Sequence, residues 1–281
     1  MPVLIPTTLD EALHALADRP HATVLAGGTD LMVEINSGHR RVGDVVAIDR
    51  VPELRSWRLS DDGTTIVIGA GCTYRALMQP ELAALVPALA EASRTVGSPQ
   101  IRQTGTLGGN LGTCSPAGDG LPVLAALDAS IVVRSISGRR SMPVTEFMVG
   151  VKRTALQPGE LVTEIQLPVL DGWQGYAKVG VRNAMVIATA SACLAVDRPT
   201  RSIRLALGSV GPTILRCDDA EAFAAARVDW STGSLDEDAV RRFGDIAQET
   251  SRPIDDHRST AAYRRHAIGV LARRLLRRAF P

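Results

Sequence analysis

The sequence predicts an α+β protein built from small α/β units, and three observations lead to that prediction. Residues 1–55 alternate between strand, turn and helix, residues 56–170 place strands on both sides of helical segments, and residues 171–281 begin with strands and end in helices. Loops at Pro158-Gly159 and Asp171-Gly172 mark the start of the last part. We therefore predict three units with the bounds 1–55, 56–170 and 171–281.

Each predicted element follows from a local pattern. Thr8 and Glu11 have the spacing of a capping box, so a helix is predicted from Thr8 to Leu16. Leucines and alanines at helical spacing predict one long helical stretch between Thr73 and Ser93. Shorter helices are predicted at residues 31–35 and 121–127, and strands at residues 21–26, 44–49, 64–68, 130–134, 191–196 and 202–209.

The last part of the chain is rich in arginine. Ile268, Leu271, Leu275 and Ala279 recur at steps of three and four residues, which predicts an amphipathic helix with a basic face toward solvent. A solvated helix or a subunit contact explains that face better than nucleic acid, because the whole chain is nearly neutral.

Composition limits the functional classes. The chain has 281 residues with 31 Lys+Arg against 30 Asp+Glu, and this balance argues against a dedicated nucleic-acid binder. No apolar run is long enough to span a bilayer, and the N-terminus lacks the features of a secretory signal. We therefore expect a cytoplasmic protein without a membrane span.

The cysteines and histidines form no metal-binding pattern. The four cysteines, Cys72, Cys114, Cys193 and Cys217, contain no CxxC, and the five histidines form no HExxH or Cys/His cluster. Structural zinc and a Cys-ligated iron–sulfur cluster are therefore not expected within this chain, and the cysteines are interpreted as buried thiols.

Two glycine-rich segments are the candidate ligand sites. The first glycine turn is Ala-Gly-Gly-Thr-Asp at residues 26–30, and the second glycine turn is Thr-Leu-Gly-Gly-Asn at residues 106–110. Adjacent glycines allow a close approach of the backbone and can direct consecutive N–H groups at a phosphate. Either turn alone fits a tight strand–helix connection, but together they indicate one extended anionic ligand held from two sides.

The sequence lacks a P-loop and contains an incomplete dinucleotide-binding motif. A P-loop requires Lys after its last glycine, and neither lysine of this chain follows a glycine. Residues 66–74 resemble a dinucleotide fingerprint around Gly69 and Gly71, but Tyr74 occupies the position of the third glycine. An NAD(P)-binding dehydrogenase of Rossmann type therefore remains as an alternative.

Several segments in fixed order resemble the FAD-binding subunit of the molybdenum hydroxylases, the xanthine dehydrogenase and carbon monoxide dehydrogenase family. Besides the two glycine turns, they are Ser115-Pro-Ala-Gly-Asp119, Val96-Gly-Ser-Pro-Gln-Ile-Arg102, Pro158-Gly-Glu-Leu-Val-Thr-Glu-Ile165, Tyr176-Ala-Lys-Val-Gly-Val-Arg182 and residues 256–264. The resemblance implies a PCMH-type FAD-binding domain of two subdomains, followed by a C-terminal domain like that of the carbon monoxide dehydrogenase flavoprotein.

The resemblance also implies the residues that contact FAD. Carried over position by position, they are Ala26, Gly27, Gly28, Thr29, Asp30, Thr106, Leu107, Gly108, Gly109, Asn110, Asp119, Val162 and Lys178. From the residues alone, Asp119 could instead cap the helix predicted from Leu121, and Lys178 could be a surface lysine. Val162 would contribute a backbone contact only.

The function that the resemblance implies is electron transfer. A small [2Fe–2S] subunit and a large molybdopterin subunit are expected partners, with electrons leaving FAD for NAD⁺, oxygen, a quinone or another small acceptor. No side chain is expected to act as nucleophile or general base, because the flavin supplies the redox chemistry. A non-catalytic scaffold subunit of the same fold is a further alternative, and it would predict disrupted glycine turns.

Overall fold

The computed structural model describes residues 2–281. Its N-terminal part is a small parallel sheet with two helices. The elements are β1 (Val3–Leu4), α1 (Leu9–Asp18), β2 (Thr23–Leu25), α2 (Leu31–Asn36) and β3 (Val45–Ala47), in the sheet order β1-β3-β2. Thr8 caps α1 by accepting a hydrogen bond from the N–H of Glu11, as the spacing predicts. The side chain of Glu11 accepts from Thr7.

The middle part is a five-stranded antiparallel sheet covered by short helices. Its elements are β4 (Trp57–Leu59), β5 (Thr65–Gly69), α3 (Pro80–Leu85), α4 (Pro87–Thr95), α5 (Pro99–Thr104), α6 (Leu107–Thr113), α7 (Gly120–Ala126), β6 (Ser130–Ser135), β7 (Gly138–Pro143), α8 (Val144–Phe147), β8 (Met148–Gly150), β9 (Arg153–Thr154) and β10 (Leu161–Pro168). The sheet order is β4-β5-β10-β6-β7, and β8 pairs with β9 apart from it.

The single long helix predicted between Thr73 and Ser93 is wrong. The chain forms a short 3-10 helix at Ala76–Met78 and then α3 and α4, which begin at Pro80 and Pro87. Proline lacks the N–H that a helix interior needs but fits the first turn, so each proline ends one helix and starts another.

The C-terminal part is a four-stranded antiparallel sheet backed by long helices. It consists of β11 (Gly172–Val179), β12 (Ala190–Asp197), β13 (Ser202–Gly208), β14 (Leu215–Arg216), α9 (Asp218–Arg227), α10 (Glu237–Thr250) and α11 (Ala261–Ala279). In β12, Cys193 and Ala195 face the core of the middle part, whereas Leu194 and Val196 face the core under α10 and α11. Alternate residues of a strand point to opposite faces, and this strand is apolar from Ala192 to Val196 because both of its faces are covered.

Helix α11 buries the apolar residues that its periodicity predicts, but one arginine departs from the basic face. Arg264 is 5 % exposed and donates to the carbonyl oxygens of Thr189 and Ser209 and to Asp256. All four cysteines are buried and free, and burial raises the pKa of each thiol. Among residues 2–281, no helix is both long and apolar enough to cross a membrane.

Candidate cofactor-binding site

The first glycine turn connects β2 to α2 and presents a row of backbone donors. Gly28 has a φ of +69°, in the left-handed region that favours glycine. The N–H groups of residues 26–30 have no acceptor within the described residues 2–281. These residues are half-buried except for Asp30, which is exposed. Unpaired N–H groups at a turn of this kind are suited to phosphate oxygens.

The first glycine turn lies against the residues that flank the second on both sides, Thr104 and Gly105 before it and Thr113 after it. A Cβ on Gly27 would lie 1.7 Å from the carbonyl oxygen of Thr104, so only glycine permits this approach. Thr29 lies next to Gly105, because a Cβ on Gly105 would be 3.3 Å from the Thr29 hydroxyl oxygen. The carboxylate of Asp30 accepts a hydrogen bond of 3.2 Å from the Thr113 hydroxyl at the end of α6.

The second glycine turn is the start of α6, and the N–H groups of its residues 107–110 are already used. Thr106 caps the helix by accepting a 2.9 Å hydrogen bond from the N–H of Gly109. The N–H groups of Leu107 and Gly108 donate to Cys72 and Ala70, and that of Asn110 donates to the carbonyl of Thr106. The open N–H groups expected from the sequence are therefore found in the first turn and not at residues 107–110 of the second.

Gly69 and Gly71 of the alternative dinucleotide motif have a packing role. A Cβ on Gly69 would lie 2.3 Å from the carbonyl oxygen of Leu54, and the N–H of Gly71 donates to that same oxygen at 2.7 Å. Strand β5 is antiparallel to both of its neighbours, β4 and β10. A Rossmann site lies at the end of a parallel strand, so the Rossmann interpretation of these glycines is wrong.

Asp119 and Lys178 form a buried ion pair. Their side chains are 8 % and 7 % exposed, and the ammonium Nζ of Lys178 lies 2.7 Å from Oδ2 of Asp119. Lys178 also donates to the carbonyls of Thr95, at 2.9 Å, and Val186, at 3.1 Å. The hydroxyl of Tyr176 donates to Oδ1 of Asp119 at 2.7 Å. Burial raises the pKa of Asp119, and the lysine and the tyrosine act in the opposite direction.

Asp119 does not act as a helix cap, and Lys178 does not lie on the surface. Asp119 occupies the position before α7, but its side chain makes no capping hydrogen bond. Lys178 is buried and is not a surface lysine. Tyr176 was not predicted as a site residue, although its position two residues before Lys178 in a strand places both side chains on one face. That spacing was the available signal.

The remaining predicted residue, Val162, lies within the middle sheet. It pairs with Val133 in β6, next to a register shift between Val162 and Glu164. Its side chain is 5 % exposed and belongs to the main core. A ligand contact at this position would therefore be made by the backbone.

Known proteins share this architecture over the whole chain. A family model described as the FAD binding domain in molybdopterin dehydrogenase matches residues 1–170, and one described as the CO dehydrogenase flavoprotein C-terminal domain matches residues 176–279. The chain is 33 % identical to the glyceraldehyde dehydrogenase medium chain of Sulfolobus acidocaldarius, over 94 % of this chain and 92 % of that protein.

Two further relatives cover different amounts of the chain. The nicotinate dehydrogenase FAD-subunit of Eubacterium barkeri is 38 % identical over 68 % of this chain and 67 % of its own length. A structure of carbon monoxide dehydrogenase from Hydrogenophaga pseudoflava, lacking the Mo-pyranopterin moiety of its molybdenum cofactor, superposes with a TM-score of 0.89. It has 30 % identity and covers 99 % of this chain and 96 % of that chain.

These matches define both the class of protein and its family. The fold is that of an FAD-binding domain joined to a flavoprotein C-terminal domain, which confirms the predicted fold class. The chain belongs to the FAD-binding medium subunits of the molybdenum hydroxylases, of carbon monoxide and xanthine dehydrogenase type, and is thus an oxidoreductase subunit.

Proposed function

We propose that this chain binds FAD across the two glycine turns and transfers electrons within a heteromeric molybdenum hydroxylase. The observation that supports the proposal best is the row of N–H groups at residues 26–30, which lack acceptors within residues 2–281 and lie against Thr104 and Gly105, directly before the second turn. A pyrophosphate needs such donors and does not require a basic cluster when the backbone supplies them.

The proposed FAD contacts combine the two turns with three more distant residues. The N–H groups of the first turn would bind the pyrophosphate, and the second turn would contribute the side chains of Thr106 and Asn110 and the small surface of Gly108 and Gly109. Asp119, Val162 and Lys178 complete the proposed set. We further propose that the two FAD-binding subdomains meet near residue 55 and that the C-terminal domain begins near residue 171.

When bound, FAD supplies the redox chemistry through which electrons from the [2Fe–2S] clusters of a small partner subunit reach NAD⁺, oxygen, a quinone or another acceptor. The protein's own residues bind and orient it. A large partner subunit would hold the molybdopterin at which the substrate is hydroxylated, and we place the complex in the cytoplasm without contact to nucleic acid.

A visible absorption spectrum of the purified chain, with chromatography of the released cofactor, tests this proposal. We expect flavin bands and FAD in a ratio near one per chain. A colourless protein that also fails to take up added FAD would refute the proposal and favour the scaffold hypothesis. A released cofactor other than FAD would refute it as well.

A further inference from the structure

The ion pair of Lys178 and Asp119 joins the two regions that the family models match. Lys178 and Tyr176 lie in β11 of the C-terminal region, whereas Asp119 and Thr95 belong to the FAD-binding region. A lysine ammonium has three N–H donors, and here they face Asp119, the carbonyl of Thr95 and the carbonyl of Val186. Its hydrogen-bonding capacity is therefore used within the protein.

The hydroxyl of Tyr176 has one hydrogen to donate, and it donates that hydrogen to Asp119. The tyrosine is 4 % exposed, and its hydroxyl donates to Oδ1 while Lys178 donates to Oδ2. Both oxygens of the carboxylate are thus held from the C-terminal region. The buried carboxylate thus accepts from an ammonium and from a hydroxyl. These two donors hold it in one orientation, because any other rotamer would leave a buried polar group unpaired.

The residues on either side of Asp119 contact the second glycine turn at Asn110. The N–H of Gly120, the residue after Asp119, donates to Oδ1 of Asn110 at 3.1 Å. A Cβ on Gly118 would lie 2.6 Å from Nδ2 of Asn110, and one on Gly120 would lie 2.9 Å from its Oδ1. The segment 118–120 therefore encloses the Asn110 side chain, and Asn110 is part of α6.

We propose that Tyr176 and Lys178 are positioning residues, which hold Asp119 and thereby fix Asn110 and the second glycine turn for FAD. This inference rests on the proposed function. It gives the C-terminal domain a part in cofactor binding, although that domain contains neither turn. It also adds Tyr176 to the residues on which FAD binding depends.

The test compares FAD dissociation constants of the full chain and its variants, measured by fluorescence titration after removal of bound flavin. Tyr176→Phe removes only the hydroxyl, and Lys178→Met removes the charge at similar length. We expect each variant to weaken FAD binding by about tenfold, the factor that corresponds to losing a hydrogen bond to a charged group.

A matched control is available at another ion pair between the same two regions. Arg216 of β14 donates to Asp128 at 2.6 Å and to the carbonyl of Ala125, and neither of these partners belongs to a glycine turn. Arg216→Gln should lower the thermal unfolding temperature, as we also expect of Tyr176→Phe and Lys178→Met, and should leave the FAD dissociation constant unchanged. A role in joining the domains alone would make all three variants alike.

Two substitutions of Asp119 separate the effect of its hydrogen bonds from the effect of its volume. Asp119→Asn keeps the shape of the carboxylate and one of its two acceptor oxygens, whereas Asp119→Leu keeps neither acceptor, so we expect the asparagine variant to bind FAD more tightly by about tenfold. Unchanged FAD binding in Tyr176→Phe would overturn the inference, even if Lys178→Met were impaired, because direct contact of the lysine with FAD would then suffice. Equal weakening in Arg216→Gln would overturn it too. Failure of the unmodified chain to bind FAD would instead refute the proposed function.

Discussion

The two glycine turns look alike in sequence but differ in what their backbones do. In the first turn, the N–H groups of residues 26–30 have no acceptor within residues 2–281. In the second, the N–H groups of residues 107–110 are accepted by Cys72, Ala70 and the two oxygens of Thr106. The first turn is therefore equipped to donate to a ligand, whereas the second is a rigid helix start.

This difference shows that glycine has separate uses in the two turns. Gly27 allows the first turn to approach Thr104, and Gly108 allows α6 to approach the end of β5, since a Cβ there would lie 2.6 Å from Ala70. In the second turn, the absence of side chains thus serves packing and leaves a smooth surface. We infer that donors come chiefly from one turn and shape from the other.

The largest effect is expected from Gly27→Val. A Cβ at this position would lie 1.7 Å from the Thr104 oxygen, so the first turn must move away from the end of α5, which leads into the second turn. Overpacking of this severity costs about 3 kcal/mol, which corresponds to FAD binding weaker by about a hundredfold. The FAD content of the purified variant and its dissociation constant give the result.

Gly38→Asn is the control for that substitution. Gly38 lies in the same part of the chain, has a φ of +73°, and has no atom within 4 Å of the position of a Cβ. Asparagine tolerates this conformation, so FAD binding should be unchanged. Retention of FAD by Gly27→Val would show that the close approach of the first turn to Thr104 is not needed for FAD binding.

A smaller effect is expected from Gly109→Val, which tests whether the second turn acts by shape. Gly109 is exposed, and a Cβ on it would lie 2.9 Å from the Thr106 hydroxyl oxygen that caps the helix. We expect FAD binding to weaken by about tenfold while the chain remains folded, as measured by titration and far-ultraviolet circular dichroism.

Gly112→Val provides a matched comparison within the same helix. Gly112 is exposed, and a Cβ on it would have no atom within 4 Å. Gly112→Val and Gly109→Val therefore change the helix propensity of α6 equally and differ only in the position of the new side chain. FAD binding should be unaffected. Loss of FAD in Gly109→Val as severe as in Gly27→Val would contradict the division of roles between the turns.

The smallest effect is expected from Thr106→Val, which removes the cap of α6. Loss of an N-cap hydroxyl lowers the free energy of unfolding by about 1 kcal/mol, and here it also loosens the second turn. We expect FAD binding to weaken by about threefold. Thr8→Val removes the equivalent cap of α1 and should reduce stability similarly without changing FAD binding.

Local patterns predicted the elements whose causes lie within a few residues. The cap at Thr8, helix α2, strand β3 and the apolar face of α11 agree with the sequence prediction because each depends on spacing along the chain. The prediction of one long helix after Thr73 was wrong because it gave apolar periodicity more weight than the prolines at positions 80 and 87, where new helices begin. Helices α5 and α6 were missed in a segment rich in glycine, serine and threonine.

By itself, the sequence determined the order of the units, the places of the two glycine turns and the family to which the chain belongs. Tertiary structure decided which N–H groups remain open, because the acceptors at Ala70 and Cys72 come from a different strand end. It also decided that Asp119 binds Tyr176 and Lys178, which are 57 and 59 residues away along the chain. Contacts over such separations leave no local pattern, since they are set by how the sheets and helices pack.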